Sequence, residues 1–116
     1  MASIFTVPVV ASEPHQSLFV NLDGRRFRLD LNWNGRVERW SISVYAADDT
    51  PVVLNKGLRL GGDVLRSTRY KPSCPQGVLS VVDPTGLAEA PTLDSLGSRH
   101  YIIFVPLDDA EIIANG

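Results

Sequence analysis

The sequence predicts an all-β fold, a small antiparallel β-barrel or sandwich of about seven strands. Apolar residues recur with period two in segment after segment, which is the repeat of a half-buried strand and not of a helix. Clusters of Gly, Asn, Asp and Pro punctuate those segments where hairpins and turns need them. No stretch sustains a 3.6-residue apolar repeat, so at most one short helical turn is expected, near residues 63–67. At 116 residues the chain is read as a single domain over 1–116, long enough to bury one core without disulfides or metal.

Ser3 to Val10 carries Ile4, Phe5, Val7, Val9 and Val10, and Pro8, which has no backbone donor, makes it an edge strand. QSLFVNL (16–22) places Leu18, Val20 and Leu22 on one side, and Asp23-Gly24 turns it into the next strand. In RRFRLDLNW (25–33), Phe27, Leu29, Leu31 and Trp33 point one way while Arg26, Arg28, Asp30 and Asn32 point the other. Asn34-Gly35 reads as a tight turn whose two central residues take positive φ. ERWSISVYA (38–46) then puts Trp40, Ile42, Val44 and Ala46 on one face, opposite Ser41, Ser43 and Tyr45. Residues 16–46 are therefore a three-stranded meander, with Trp33 and Trp40 as anchors whose loss is expected to be severe.

Asp48-Asp49-Thr50-Pro51 marks a turn, followed by the strand VVLNKGLRL (52–60) with Gly57 as a bulge. Asp63 is placed to cap the helical turn that follows Gly61-Gly62. Residues 67–77 form a loop in which Pro72 and Pro75 flank Cys74, read as a surface or half-buried thiol. VLSVV (78–82) is a strand, and Asp83-Pro84-Thr85-Gly86 is a β-turn. Residues 87–99 are irregular. HYIIFVPL (100–107) is apolar on both faces and should lie centrally, covered on both sides. Residues 1–12 and 108–116 are read as extended arms, the second exposing Ile112 and Ile113 in a polar tail.

The formal net charge of −2 gives no global field that would attract nucleic acid. The charge is unevenly spread: Arg25 to Lys71 holds most of the basic residues, and from Asp83 onward only Arg99 is basic, against six acids with Asp83 included. The favoured reading is a pair of ordinary solvated faces; a two-signed surface would also suit contacts between copies. One cysteine and two histidines exclude an intrachain disulfide and a thiolate zinc site. There is no nucleophile elbow, phosphate loop or dinucleotide fingerprint. A Cys74–His100 nucleophile pair is disfavoured, because no helix start lowers the thiol's pKa. Asp48-Asp49 and Asp108-Asp109 read as a turn and a strand end, not as a calcium site. No catalytic residue, cofactor or metal is expected. The N-terminus lacks a basic leader and no apolar run approaches the ~20 residues of a membrane helix, so synthesis in the cytoplasm and no membrane partner are expected. Arg26 and Arg28, with Arg36 and Arg39 nearby, form the best nucleic-acid candidate. Phe27 and Trp33 face the other way, leaving Tyr45 alone for stacking, so no nucleic-acid partner is expected.

The order of features carries a resemblance. F-V-N-L-D-G-R-R-F-R-L-D-L-N-W-N (Phe19 to Asn34) is followed by R-W-S-I-S-V-Y (Arg39 to Tyr45), P-V-V-L-N-K-G-L-R-L-G-G-D-V-L (Pro51 to Leu65), P-Q-G-V-L-S-V-V-D (Pro75 to Asp83), Leu96-Gly97 and the closing apolar strand. From Phe5 to Leu107 this resembles the small baseplate plug proteins of contractile-tailed phages, of the cyanophage type. The resemblance implies a structural virion component of the tail baseplate, a plug or hub-adjacent protein. It also implies as partners the tail tube, hub and spike and other copies of the chain, and it brings no catalytic residues.

Which side chains make contacts is read from physics alone. Unpaired strand edges and exposed apolar or basic side chains are docking templates. The candidate interface residues are therefore Ile4, Phe5, Val7, Val9, Arg26, Arg28, Arg36, Ile112 and Ile113. The alternative is a stand-alone small barrel that binds single-stranded nucleic acid or another ligand.

Overall fold

The computed structural model describes residues 4–22, 24–66, 68, 74–86 and 89–106. Among them the chain forms seven strands and no helix. One sheet holds β2 (His15–Leu22), β3 (Arg25–Asn34), β4 (Arg39–Ala46) and β5 (Pro51–Gly57), side by side in chain order. The other holds β1 (Phe5–Thr6), β6 (Gly77–Val82) and β7 (Tyr101–Pro106), in the order β1-β7-β6. All pairings within the sheets are antiparallel, and the two sheets stay separate, so the architecture is a sandwich and not a closed barrel.

The meander forms with the register its alternation demands. Leu18 faces Leu29, Val20 faces Phe27, Leu29 faces Val44 and Leu31 faces Ile42, so one whole apolar set turns inward. Leu22 pairs with Arg25, and Gly24 at φ 73 makes the tight connection between them. The second hairpin differs from expectation. Asn34 is still strand, paired with Arg39, and the loop is Gly35 to Glu38. The positive φ falls on Glu38 (52°), while Asn34 accepts the Arg36 N–H through its side chain at 3.1 Å. Asn34 thus acts as an Asx-turn acceptor and not as a left-handed turn residue.

β5 is irregular at a different place from the one expected. The register against β4 slips between Ile42 and Val44, and Asn55, not Gly57, takes positive φ (49°). A second slip, between Val44 and Tyr45, leaves Val52 as an extra residue, and Val52 and Val53 are both buried. The Asn55 N–H at the bulge donates to the buried Ser43 hydroxyl at 3.0 Å. Past β5 the chain crosses from one sheet to the other. Leu58 N–H bonds Trp40 C=O at 2.9 Å, then Gly61 N–H reaches Val81 C=O at 2.9 Å and Val64 N–H reaches Leu79 C=O at 2.8 Å. This crossing covers the outer edge of β6. Asp63 holds it, accepting the N–H of Leu65 (3.1 Å) and of Leu79 (3.3 Å). Residues 64–66 are a hydrogen-bonded turn, within the expected limit of at most one short helical turn.

The core is made by both inner faces, including Phe27, Leu29, Leu31, Trp40 and Ile42 from the four-stranded sheet and Leu79, Val81, Ile102 and Phe104 from the three-stranded one. β7 is central in its sheet, as expected, but only Ile102 and Phe104 are buried; Tyr101, Ile103 and Val105 on the other face are half-buried. Cys74 is wholly buried and not a surface thiol. Its Sγ lies 3.4 Å from the Pro75 carbonyl, and Arg25 Nη2 donates to its own carbonyl at 2.8 Å.

Candidate interaction surfaces

Three surfaces and one buried cluster concentrate the chemistry. The first surface is the N-terminal edge. Phe5 pairs with Phe104 and Thr6 with Ile103, and Val7 N–H continues the ladder to Ile102 C=O at 2.8 Å. Ile4 and Phe5 are exposed, at 51% and 37%. Val7 is 3% exposed and Val9 packs against the core, so these two candidates hold the segment onto the body. Gly97 makes that docking feasible: at φ 95 it backs onto Val9, whose carbonyl would lie 2.6 Å from any Cβ there. Ile112 and Ile113, with the 108–116 arm and the Asp108-Asp109 pair, lie outside the described residues.

The second surface is the outer face of the four-stranded sheet. Phe19, Arg28 and Tyr45 form one row across β2, β3 and β4. The Arg28 guanidinium sits 4.3 Å from the Tyr45 ring centroid and pairs with Asp49 (2.8 Å) and Asp30 (3.3 Å). Arg26 stacks over Phe19 at 4.4 Å, and Phe19 remains 62% exposed. Phe19 changes the sequence reading, in which Tyr45 was the only ring on the basic face. The signal was present, since an alternation that turns Leu18 and Val20 inward must turn Phe19 outward. Arg36 is exposed in the β3–β4 loop, away from that row in the strand register.

The third surface escaped the sequence reading as a site. Arg39, Lys56, Arg59 and Arg66 line a groove in two parts, of about 520 and 650 Å³, that share Lys56, Gly57 and Arg59. The groove follows the sheet-to-sheet crossing after β5. Residues 56–66 supply Lys56, Arg59 and Arg66, and the fold brings Arg39 of β4 to join them.

The buried cluster joins the turn after β6 to the approach of β7. Arg99 grips Asp83 through Nη2–Oδ2 at 2.8 Å and reaches Glu89 at 3.2 Å. The Arg99 hydrogen bond, then that of Thr85, holds the Asp83 carboxyl far below the usual carboxylate range. His100 is 1% exposed, and its Nε2 donates to Glu89 C=O at 2.7 Å. These contacts tie loop to strand. Among the described residues no group of three His, Cys, Asp or Glu is placed to hold a metal ion.

The family model described as "Cyanophage baseplate Pam3 plug gp18" matches residues 4–108. The chain belongs to this family. No curated protein matches it. The match spans both sheets and every surface above except the end of the tail. Membership gives the plug protein a structural role in the phage tail baseplate, in contact with other baseplate components. Leu96-Gly97, part of the resembling pattern, have a structural reason: Leu96 is fully buried, and Gly97 receives the N-terminal segment.

Proposed function

We propose that this plug protein sits between the tail tube and the central hub or spike, in several copies around the tail axis, and acts through strand edges and exposed side chains. The observation that carries the reading is the family match over residues 4–108. The outer edge of β2, which pairs with no described strand, supports it. Pro14 C=O accepts from Trp33 N–H at 2.7 Å, so by the alternation of an antiparallel ladder the backbone of His15, Ser17, Phe19 and Asn21 points away from β3. An edge eight residues long, free of Pro and Lys, is a template for a neighbour's strand. Exposed Phe19 under Arg26 lies beside that edge, and aromatic and Arg side chains are the residue types that dominate interface energetics. Synthesis takes place in the host cytoplasm, before incorporation into the tail.

The test is a phage that lacks this chain, complemented with the wild type or with Phe19→Ser plus Arg26→Ser. Without the chain, tails should carry incomplete baseplates by electron microscopy; complete, infectious particles would overturn the reading. A second reading, single-strand binding, draws on Phe19 and Tyr45 sharing a face with Arg26 and Arg28. Against it, Asp30 and Asp49 already neutralise Arg28. Anisotropy of a labelled oligonucleotide at low salt decides it, and no rise on titration removes it.

A further inference from the structure

Among the described residues the cations differ in how they are paired. Arg28 and Arg99 are paired with carboxylates, and Arg25 bonds a backbone carbonyl. The side chains of Arg39, Lys56, Arg59 and Arg66 have no ion pair or hydrogen bond to any described residue, although they line one groove. Like charges gathered in a concave site repel one another and focus a positive field outward. The acid in the lining, Asp63, already accepts two backbone N–H groups. Glu89, next to the lining residue Ala90, is held by Arg99. Among the described residues four cations therefore face one acid in the lining, and the groove carries net positive charge.

Its walls also say what kind of anion fits. No Phe, Tyr or Trp lines either part, so nucleic-acid bases would find no stacking platform. Gly57, Gly61 and Gly62 leave the floor low, and a Cβ on Gly57 or Gly61 would meet nothing within 4 Å, so an extended main chain has room to approach. An acidic, extended peptide matches both features. The sequence contains one densely acidic segment: Asp108, Asp109 and Glu111 place three carboxylates in four residues, shortly after the last strand.

We propose that this groove binds the acidic carboxyl-terminal segment of a second copy, Leu107 to Gly116, through carboxylate pairing with Lys56 and Arg59 at its centre and Arg39 and Arg66 at its two ends. The contact is head-to-tail, and such contacts close into rings when the rotation permits. It rests on the reading of several copies around one axis. Arginine suits the task because its fork meets a carboxylate with two parallel bonds.

The experiment titrates the full chain into a fluorescein-labelled peptide of residues 107–116 and follows anisotropy. Saturable binding is expected, weakened about tenfold or more by Lys56→Glu with Arg59→Glu, and similarly by Asp108→Asn, Asp109→Asn and Glu111→Gln in the peptide. Arg39→Glu with Arg66→Glu is an independent second variant, and thermal melts confirm that both variants are folded. Sedimentation should show wild-type mass rising with concentration and the groove variants remaining smaller. Equal binding of the amide peptide overturns the proposal. So does a wild type that stays monomeric and binds peptide only once its own tail is removed, which would place the tail in its own groove. Displacement of the peptide by an oligothymidylate that binds more tightly would also overturn it. Because the peptide is read on purified protein, failed binding beside normal entry into tails sinks the groove and leaves the baseplate role standing.

Discussion

Trp33 and Trp40 face each other across β3 and β4 with ring centroids 5.6 Å apart and planes at 61°, an edge-to-face pair in which only Trp40 belongs to the core. The ladder parity set by Pro14 and Trp33 makes this a non-hydrogen-bonded pair, where facing side chains come closest. Trp40 is 1% exposed, and its indole N–H donates to Thr92 C=O at 2.8 Å, fastening the irregular loop before β7. Trp33 is half-buried at the rim. The two rings, equal in the sequence pattern, are therefore unequal in energy.

Trp40→Ala should cost about 3–5 kcal/mol, a large share of the ~5–15 kcal/mol typical of a domain. Trp33→Ala should cost about 1–2 kcal/mol, mainly the lost ring contact and partial burial. Urea denaturation of the two variants measures both. Equal losses would contradict the placement of Trp40 as the deeper anchor.

The Asp83–Arg99 pair predicts a dependence on acid. The Asp83 carboxyl titrates lower in the folded protein than in the unfolded chain, so between those two values the unfolded chain binds more protons. Its contribution is complete above the unfolded value of about 3.9 and is lost as pH falls from there toward the folded value. Asp83→Asn should lower stability at neutral pH and flatten the fall of stability below about pH 5. Denaturation at a series of pH values checks the slope, and an unchanged slope would mean that another carboxylate dominates.

Gly97→Ala should loosen the N-terminal segment. The added Cβ would lie 2.6 Å from Val9 C=O and 3.1 Å from Ala11 N, at a φ of 95° that L-residues rarely adopt. A cost of about 1–3 kcal/mol is expected from the backbone strain. Faster hydrogen exchange should appear at Val7 and Ser12, whose N–H groups bond Ile102 and Leu93. Deleting residues 1–10 should destabilise as well, because Val7 leaves the core with it.

Phe19→Ser with Arg26→Ser should behave in the opposite way, changing stability by about 1 kcal/mol or less while reducing incorporation into tails. Phe19 is 62% exposed and touches Arg26 outside the core, so little of the fold depends on it. Copy number per tail, measured against wild type in complemented particles, is the readout.

The sequence by itself determined the sheet content, the three-stranded meander and the inward set from Leu18 to Ala46. Period-two alternation is a local property, and a one-residue slip would expose every apolar side chain. It also carried the pattern that marks the family. Local turn signals were weaker guides: Asn34-Gly35 looks like a two-residue turn, but the Trp33–Trp40 pair extends both strands to Asn34 and Arg39 and moves the loop onward. The bulge falls at Asn55 and not at Gly57 because the Ser43 hydroxyl on the neighbouring strand receives the displaced N–H. Only tertiary structure decided that Cys74 is sealed inside, that Val7 is core, and that Arg39, Lys56, Arg59 and Arg66 share a groove. Cys74 and Val7 depend on segments far apart in the chain meeting in one core, and the groove on Arg39 of β4 meeting the stretch that follows β5; such meetings leave no periodic trace in sequence.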